Sequence, residues 1–126
     1  MKPEKIEKIL VVDDETAISD ILLKGLQMVG YSQVEMASNG LEGYEKYKTF
    51  LPDLVFMDME MPVMNGYESS SKIKSFDPEA KILVVTGNPG GSLAQRTLHE
   101  GIALTLLEKP LKLANLKQII SENMAS

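Results

Sequence analysis

The chain has 126 residues, of which 44% are hydrophobic and 25% are charged, a composition typical of one globular domain with a buried core. Its formal net charge of -5 opposes binding to nucleic acid or to an anionic membrane surface, and no basic patch in the sequence offsets it. Cysteine is absent, which excludes disulfides, thiolate nucleophiles and cysteine metal sites.

The sequence shows neither a signal peptide nor a membrane-spanning segment. Residues 1–8 lack the apolar stretch of a signal peptide, and no apolar run approaches the length of a membrane span. We therefore expect a soluble, cytoplasmic protein with no membrane contact. Because the last helical pattern stops a few residues before Ser126, we expect one domain over residues 1–126 and no output domain in this sequence.

Five short apolar runs predict β-strands. Four of them are continuous rather than alternating, which is typical of strands covered on both faces. Val34 and Met36 instead alternate with polar residues, so this run predicts a strand nearer an edge of the sheet. The four continuous runs are Ile9–Val12, Leu54–Met57, Ile82–Val85 and Ala103–Leu107.

Apolar residues recur at helical spacing between these runs. The first stripe runs from Ile18 to Val29 and precedes Gly30, which suits a helix end, and the second begins at Asn39 and stops at Pro52. Such alternation of strand and helix requires right-handed crossovers and a parallel sheet between two layers of helices. The fold class is therefore α/β, a doubly wound five-stranded parallel sheet with helices on both faces. Weaker stripes cover residues 67–76, 93–98 and 113–120.

Polar residues directly follow four of the predicted strands. The carboxyl ends of parallel strands meet at one edge of the sheet, so these residues should converge there. Two carboxylates 4 Å apart repel by about 4 kcal/mol near a protein surface, so a positive group must lie among them. Mg2+ suits this need because it prefers oxygen ligands. The residues are Asp13, Asp14 and Glu15 after the first strand, Asp58 after the third, Thr86 and Gly87 after the fourth, and Glu108, Lys109 and Pro110 after the fifth.

This set of groups is equipped for phosphoryl transfer. Mg2+ and the ammonium of Lys109 neutralise the charge of an incoming phosphoryl group, and the hydroxyl of Thr86 can donate a hydrogen bond to it. The ionised carboxylate of Asp58 can then attack the phosphorus atom. The expected product is an aspartyl phosphate on Asp58.

The motifs resemble the response-regulator receiver domain of two-component signalling over essentially the whole chain. They are the acidic pair Asp13–Asp14, an aspartate (Asp58) before Met-Pro and Asn-Gly, a threonine (Thr86), and Lys109–Pro110, in this order. The resemblance implies a flavodoxin-like (βα)5 fold and phosphorylation of Asp58 by a histidine kinase or a phosphotransfer protein. It further implies that Thr86 and Lys109 bind the phosphoryl oxygens and that the Lys109–Pro110 peptide is cis.

The resemblance also implies a Mg2+ site. Asp14 would bind the ion directly and Asp13 mainly through water. Asp58 and the backbone carbonyl of Glu60 would complete the protein ligands. The downstream effector stays open, as does a homodimer formed on phosphorylation.

The sequence departs from the family pattern at Leu106, where receivers commonly carry an aromatic residue whose rotamer follows phosphorylation. We therefore expect a partner surface to depend on displacement of Thr86–Gly91 rather than on a ring flip. The resemblance implies that Glu60 and Asn88, two residues past Asp58 and Thr86, flank the path of an attacking water, so the lifetime of the phosphoryl group stays open.

Simpler interpretations exist for each motif alone. Asp13–Asp14 can cap the first helix, Thr86–Gly87 can form an ordinary turn, and Lys109 can be a solvated lysine before a proline. Only their combination favours a site.

Four hypotheses compete to explain the whole set. The leading hypothesis is a phosphorylation-activated switch that turns over no external substrate. A haloacid-dehalogenase-like phosphohydrolase is disfavoured because Glu60 and Pro62 stand where that pattern needs Asp and Thr or Val. A pseudo-receiver that binds partners without phosphorylation, and a receiver excised from a hybrid histidine kinase, are the remaining alternatives.

Overall fold

The computed structural model describes residues 6–124, except for the side chain of Met124. Residues 1–5, on which the expectation about a signal peptide partly rests, and residues 125–126 lie outside this range. Strands and helices alternate throughout. The elements are β1 (Lys8–Val12), α1 (Thr16–Met28), β2 (Gln33–Ala37), α2 (Gly40–Phe50), β3 (Leu54–Met57), α3 (Gly66–Phe76), β4 (Ile82–Thr86), α4 (Ser92–His99), β5 (Thr105–Glu108), a 3-10 turn (Leu113–Asn115) and α5 (Leu116–Met124).

The five strands form one parallel sheet in the order β2-β1-β3-β4-β5. This arrangement confirms the doubly wound, flavodoxin-like fold. Strand order reverses between β1 and β3, and ligand sites of open α/β sheets lie outside the carboxyl ends of strands at such a point. The register pairs Val12 with Met57 and Thr86 with Glu108, so the ends of all four site-bearing strands lie at the same edge.

Buried side chains form a hydrophobic core on each face of the sheet. Leu10 and Val12 point to the face covered by α2, α3 and α4, whereas Ile9 and Val11 point to the face covered by α1 and α5. Both faces of β1, β3 and β4 are therefore buried, as their continuous apolar sequences predict. Between residues 6 and 124, no helix is long and apolar enough to cross a membrane.

The structure corrects the fifth predicted strand. β5 begins at Thr105, two residues after Ala103, and its residues are half-buried or exposed. The expectation that it is covered on both faces is wrong because β5 is an edge strand that pairs only with β4. The apolar run still contributes to the fold, since Ala103 is buried and the Leu104 N–H donates to the Ile82 carbonyl over 2.8 Å.

The helix boundaries agree with the capping and helix-ending residues in the sequence, with one exception. Asn39 caps α2 by accepting a hydrogen bond from the Glu42 N–H over 2.9 Å. Gly30, just beyond α1, adopts a φ of 107°, which glycine tolerates readily. The last helix was predicted from Leu113, but residues 113–115 form a 3-10 turn and α5 begins at Leu116.

Candidate functional site

Backbone hydrogen bonds beyond the strand ends position the predicted site residues. The Asp58 N–H donates to the Val12 carbonyl over 2.9 Å, which sets Asp58 beside the end of β1. The Lys109 N–H donates to the Thr86 carbonyl, also over 2.9 Å. The sheet hydrogen bonds thus continue one residue past β3 and β5, and they fix the backbone from which both functional side chains extend.

Lys109 forms the centre of a buried ionic cluster. Its Nζ lies 2.9 Å from Asp13 Oδ2 and 3.4 Å from Asp58 Oδ1. The three side chains are only 13%, 6% and 8% exposed, so the ammonium offsets the repulsion between two carboxylates that water screens poorly. Lys109 is therefore not a solvated lysine.

Glu15 is a member of this cluster that sequence reasoning did not identify as a partner of the lysine. Its Oε1 lies 3.6 Å from Lys109 Nζ. The only signal in the sequence is its position directly after the acidic pair. Its side chain is exposed, so we expect its pairing to be weak compared with that of Asp13.

The environment of Asp58 disfavours its charged form. Burial, and then the nearby charge of Asp13, raise the pKa of Asp58 to about 6, although Lys109 and the Met59 N–H oppose the shift. That N–H donates to Asp58 Oδ1 over 2.8 Å. An additional cation at the site would stabilise the ionised form of this carboxylate. A carboxylate that acts as the nucleophile in phosphoryl transfer needs this environment, because it attacks in its ionised form.

The charge of Lys109 is well supported. Burial lowers its pKa, but the hydrogen bond from its ammonium to Asp13 and the charges of Asp58 and Asp13 outweigh burial and raise the pKa overall. Lys109 is consequently a permanent cation that points into the site.

Three carboxylates form a group that suits a metal ion. One oxygen from each of Asp13, Asp14 and Asp58 lies within 4.8 Å of the other two. Asp13 and Asp58 are buried, whereas Asp14 is exposed, so water can complete the coordination shell on the outer side. An all-oxygen donor set with one open side fits a hard divalent cation such as Mg2+.

The simpler interpretation of the acidic pair as a helix cap finds no support. Glu15 is the N-cap residue of α1, and its side chain makes no capping hydrogen bond. Asp13 Oδ1 accepts a hydrogen bond from the Glu15 N–H over 2.8 Å, outside the helix. The pair therefore faces the ionic cluster instead of the first turn of α1.

Thr86 lies at the same edge, but in the described part of the chain its side chain is not hydrogen-bonded to the ionic cluster. Its hydroxyl accepts a hydrogen bond from the Asn88 N–H over 3.0 Å, which is the geometry of an ordinary turn. Within residues 6–124, no hydrogen bond links the Thr86 side chain to Asp58. Thr86 instead lines a cavity of about 120 Å³ with Glu60, Asn88 and the first turn of α4. The predicted role of the Glu60 carbonyl as a metal ligand stays a prediction.

A larger cavity lies on the other side of Asp58. It measures about 290 Å³ and is lined by Asp58, Lys109, the loop after β5 and apolar residues of α1 such as Ile18 and Leu22. Its walls are mostly apolar, so one side of the carboxylate faces few polar partners. The sequence did not reveal this cavity because its lining comes from distant elements. The Lys109–Pro110 peptide at its rim is cis, as expected.

Comparisons with known proteins agree with this geometry. A family model described as the response regulator receiver domain matches residues 9–121. The chemotaxis protein CheY of Thermotoga maritima is 34% identical over 106 residues, which are 84% of this chain and 88% of the relative. The transcriptional regulatory protein ZraR of Klebsiella oxytoca is 38% identical over 125 residues, 99% of this chain but only 28% of the relative. The chain thus spans most of one relative and about a quarter of the other.

Solved structures show the same fold. A CheY-like receiver domain protein from Methanospirillum hungatei superposes with a TM-score of 0.87 at 31% identity, covering 96% of this chain and 95% of the other. CheY from a CheX-CheY-BeF3-Mg complex of Borrelia burgdorferi gives a TM-score of 0.84 at 29% identity, covering 92% and 87%.

Proposed function

The chain belongs to the response regulator receiver domain family, and we propose that Asp58 is the residue on which this phosphorylation-activated switch of two-component signalling accepts its phosphoryl group. The observation that carries the proposal is the position of Asp58. It is a buried carboxylate at the strand-order reversal, 3.4 Å from a buried lysine and within 4.8 Å of two further carboxylates.

The side chains have distinct parts in the proposed transfer. An Asp58 oxygen attacks phosphorus, a new Oδ–P bond forms, and the bond from phosphorus to a nitrogen of the donor histidine breaks. The ammonium of Lys109 pairs with one phosphoryl oxygen, and the Thr86 hydroxyl donates a hydrogen bond to a second phosphoryl oxygen. Mg2+ would supply further neutralisation of the charge on the transferred group and orient it. Turnover of an external substrate is not part of this function; self-catalysed transfer and hydrolysis are.

The hydrogen bonds favour separate parts for the two acidic neighbours. Both oxygens of Asp13 already have partners, the Glu15 N–H and the Lys109 ammonium. No described residue forms a hydrogen bond or ion pair with the Asp14 side chain. We therefore propose that Asp14 binds Mg2+ directly and Asp13 mainly through water, with Asp58 and the Glu60 carbonyl as the other protein ligands.

Phosphorylation changes the charge at the end of β3 and thereby the balance of conformers. The phosphoryl group adds a charge of about -1.5 to -2 and three strong acceptor oxygens. The Thr86 hydroxyl already accepts a hydrogen bond from the Asn88 N–H, so a new bond from this hydroxyl to the phosphoryl group also acts on the loop that follows β4. A conformer that makes these contacts is favoured by their free energy, which is a population shift.

The proposed partners follow from this chemistry. The donor is a phosphorylated histidine of a kinase or a phosphotransfer protein in the cytoplasm. The effector and a homodimer formed on phosphorylation stay predictions. A pseudo-receiver function would require no reactive site, whereas the ionic cluster carries the groups that phosphoryl transfer needs.

One experiment tests the phosphoacceptor. The protein is incubated with Mg2+ and acetyl phosphate, and the intact mass is measured for wild type, Asp58→Asn and the control Asp20→Asn, which alters an exposed carboxylate of α1. We expect a labile adduct of one phosphoryl group on wild type and control and none on Asp58→Asn. An unmodified wild type, or equal modification of Asp58→Asn, overturns the proposal, and steady release of phosphate from diverse esters favours a hydrolase.

A further inference from the structure

Met59, the residue directly after the proposed phosphoacceptor, touches the site and α4 at once. Its backbone N–H donates to Asp58 Oδ1 over 2.8 Å. Its side chain, 1% exposed, extends to the opposite side, where Sδ lies 3.5 Å from Oγ1 of Thr97 in α4. A shift of the Asp58 backbone therefore moves a side chain that packs on this helix.

The contact with α4 is confined on all sides. Thr97 is fully buried, and its hydroxyl donates its single hydrogen to the Leu93 carbonyl over 2.7 Å, which fixes its rotamer. The approach of Met59 Sδ to Thr97 Oγ1 is therefore a packing contact. The methyl group of Met59 packs against the start of α3, because a Cβ placed on Gly66 would lie 2.5 Å from Met59 Cε. Met59 thus has little room to move toward α3 and presses on α4 when it is displaced.

The two ends of α4 are held differently. At the C-terminal end, Tyr67 of α3 donates to Glu100 over 2.6 Å, and Arg96 pairs with the same carboxylate at 2.8 Å. At the N-terminal end, the N-cap residue Gly91 has no side chain to cap the helix, and nothing lies within 4 Å of a Cβ placed on Gly90. The side-chain hydrogen bond found there, from Gln95 Nε2 to the Pro89 carbonyl over 2.7 Å, joins α4 only to the loop directly before it. The cavity of about 120 Å³, which Met59 lines, adjoins this first turn. The geometry permits a pivot about the Tyr67–Glu100 contact.

We propose that Met59 is a positioning residue that couples the state of Asp58 to α4. It does so through its backbone N–H on one side and its contact with Thr97 on the other. This inference rests on the proposed function of Asp58. It assigns to Met59 a part that a side chain at Leu106 cannot take, since Leu106 is aliphatic and half-buried on the edge strand.

The test compares α4 before and after phosphorylation. Amide hydrogen exchange of residues 92–99 is measured by mass spectrometry in wild type, Met59→Ala, Met59→Leu and Thr97→Ala, each with Mg2+ and with or without acetyl phosphate. Thr97→Ala removes the side-chain atoms that Met59 touches. We expect phosphorylation to change exchange in α4 about tenfold in wild type, a typical size for coupling between sites, and by less than about twofold in Met59→Ala and Thr97→Ala. Met59→Leu, which keeps the volume, should retain most of the response.

Two controls separate this inference from other causes. Met61→Ala truncates a partly buried methionine that packs on the same core, and in the described part of the chain no hydrogen bond joins Met61 to Thr97, so this variant should leave the response intact. The intact mass shows in each variant whether Asp58 is modified, so loss of the adduct in wild type counts against the proposed function and not against the coupling. A modified Met59→Ala or Thr97→Ala protein whose α4 responds like wild type overturns the inference. Should Met59→Ala fail to fold, Thr97→Ala decides the question from the other side of the contact.

Discussion

The connection from β3 to α3 and the connection from β4 to α4 leave the same edge of the sheet but are built differently. Backbone packing holds the first one: the Gly66 N–H donates to the Met59 carbonyl over 2.8 Å, and a Cβ on Gly66 would lie 1.9 Å from the Asp58 carbonyl oxygen. The second has open space around Gly87 and Gly90 and borders a cavity. The tight packing at Gly66 limits the directions in which Asp58 and Met59 can shift, whereas the open space beside the second connection leaves room for Thr86 and α4 to move.

Alanine at a glycine of each connection should give the largest contrast. Gly66→Ala forces a methyl group into the Asp58 carbonyl oxygen, so we expect a loss of at least about 3 kcal/mol of stability and slower phosphorylation by acetyl phosphate. Gly90→Ala meets open space at a φ outside the left-handed region, so it should stabilise by about 0.5 kcal/mol through the unfolded chain. Urea unfolding of both variants checks this, and equal losses would contradict the difference between the connections.

The rigid connection holds Asp58 where its charge is disfavoured, which predicts a gain in stability for Asp58→Asn. The pKa is raised from 3.8 in the unfolded chain to about 6, so the folded state binds the proton more tightly and this group costs stability as pH rises from about 4 to 6. Without Mg2+, Asp58→Asn should be more stable than wild type by about 3 kcal/mol at pH 7.

The difference between the two proteins should shrink as pH falls below about 6 and vanish near pH 3, below the pKa of the unfolded chain. Urea unfolding in the presence of a chelator at several pH values measures it. A variant that is less stable than wild type at pH 7 would show that Lys109 stabilises the carboxylate more than burial and Asp13 oppose it.

The helix starts offer a third contrast. Asn65 and Glu68 form a capping box at the start of α3, with the Glu68 N–H 2.9 Å from Asn65 Oδ1 and the reciprocal bond at 3.4 Å. Asn65→Ala should therefore cost about 1 kcal/mol. Ser92→Ala at the uncapped start of α4 should change the midpoint of thermal unfolding little, and a similar loss in both variants would indicate a hidden cap on α4.

Short sequence patterns predicted most of this fold, because each pattern reflects the burial or the capping of the residues that form it. Continuous apolar runs marked the strands buried on both faces, Asn39 marked the start of α2, and the polar residues after each strand marked the edge that carries the site. The order of strands came from the family resemblance. The predicted burial of β5 was wrong because an apolar run in an outermost strand has the same sequence pattern as one in a central strand.

The site was predictable in its members but not in its contacts. Asp13, Asp58 and Lys109 meet as expected, since parallel strands must end together. The turn that holds the Thr86 hydroxyl, and the close approach of Gly66 to the backbone of Asp58, depend on how α3 and α4 pack, which no spacing in the sequence encodes.

The smallest predicted effect concerns Val63, the strained residue of the otherwise well-packed connection between β3 and α3. Its φ of 71° lies in the left-handed region, which disfavours a β-branched side chain by about 1–2 kcal/mol, and its side chain is 76% exposed and contributes little packing. Val63→Gly relieves the strain but adds freedom to the unfolded chain, so we expect a net gain of about 0.5 kcal/mol. Urea unfolding measures it against Val63→Ala, which keeps a Cβ and should gain less. A loss of stability in Val63→Gly would mean that the valine side chain packs on the loop and that this packing outweighs the strain at its φ angle.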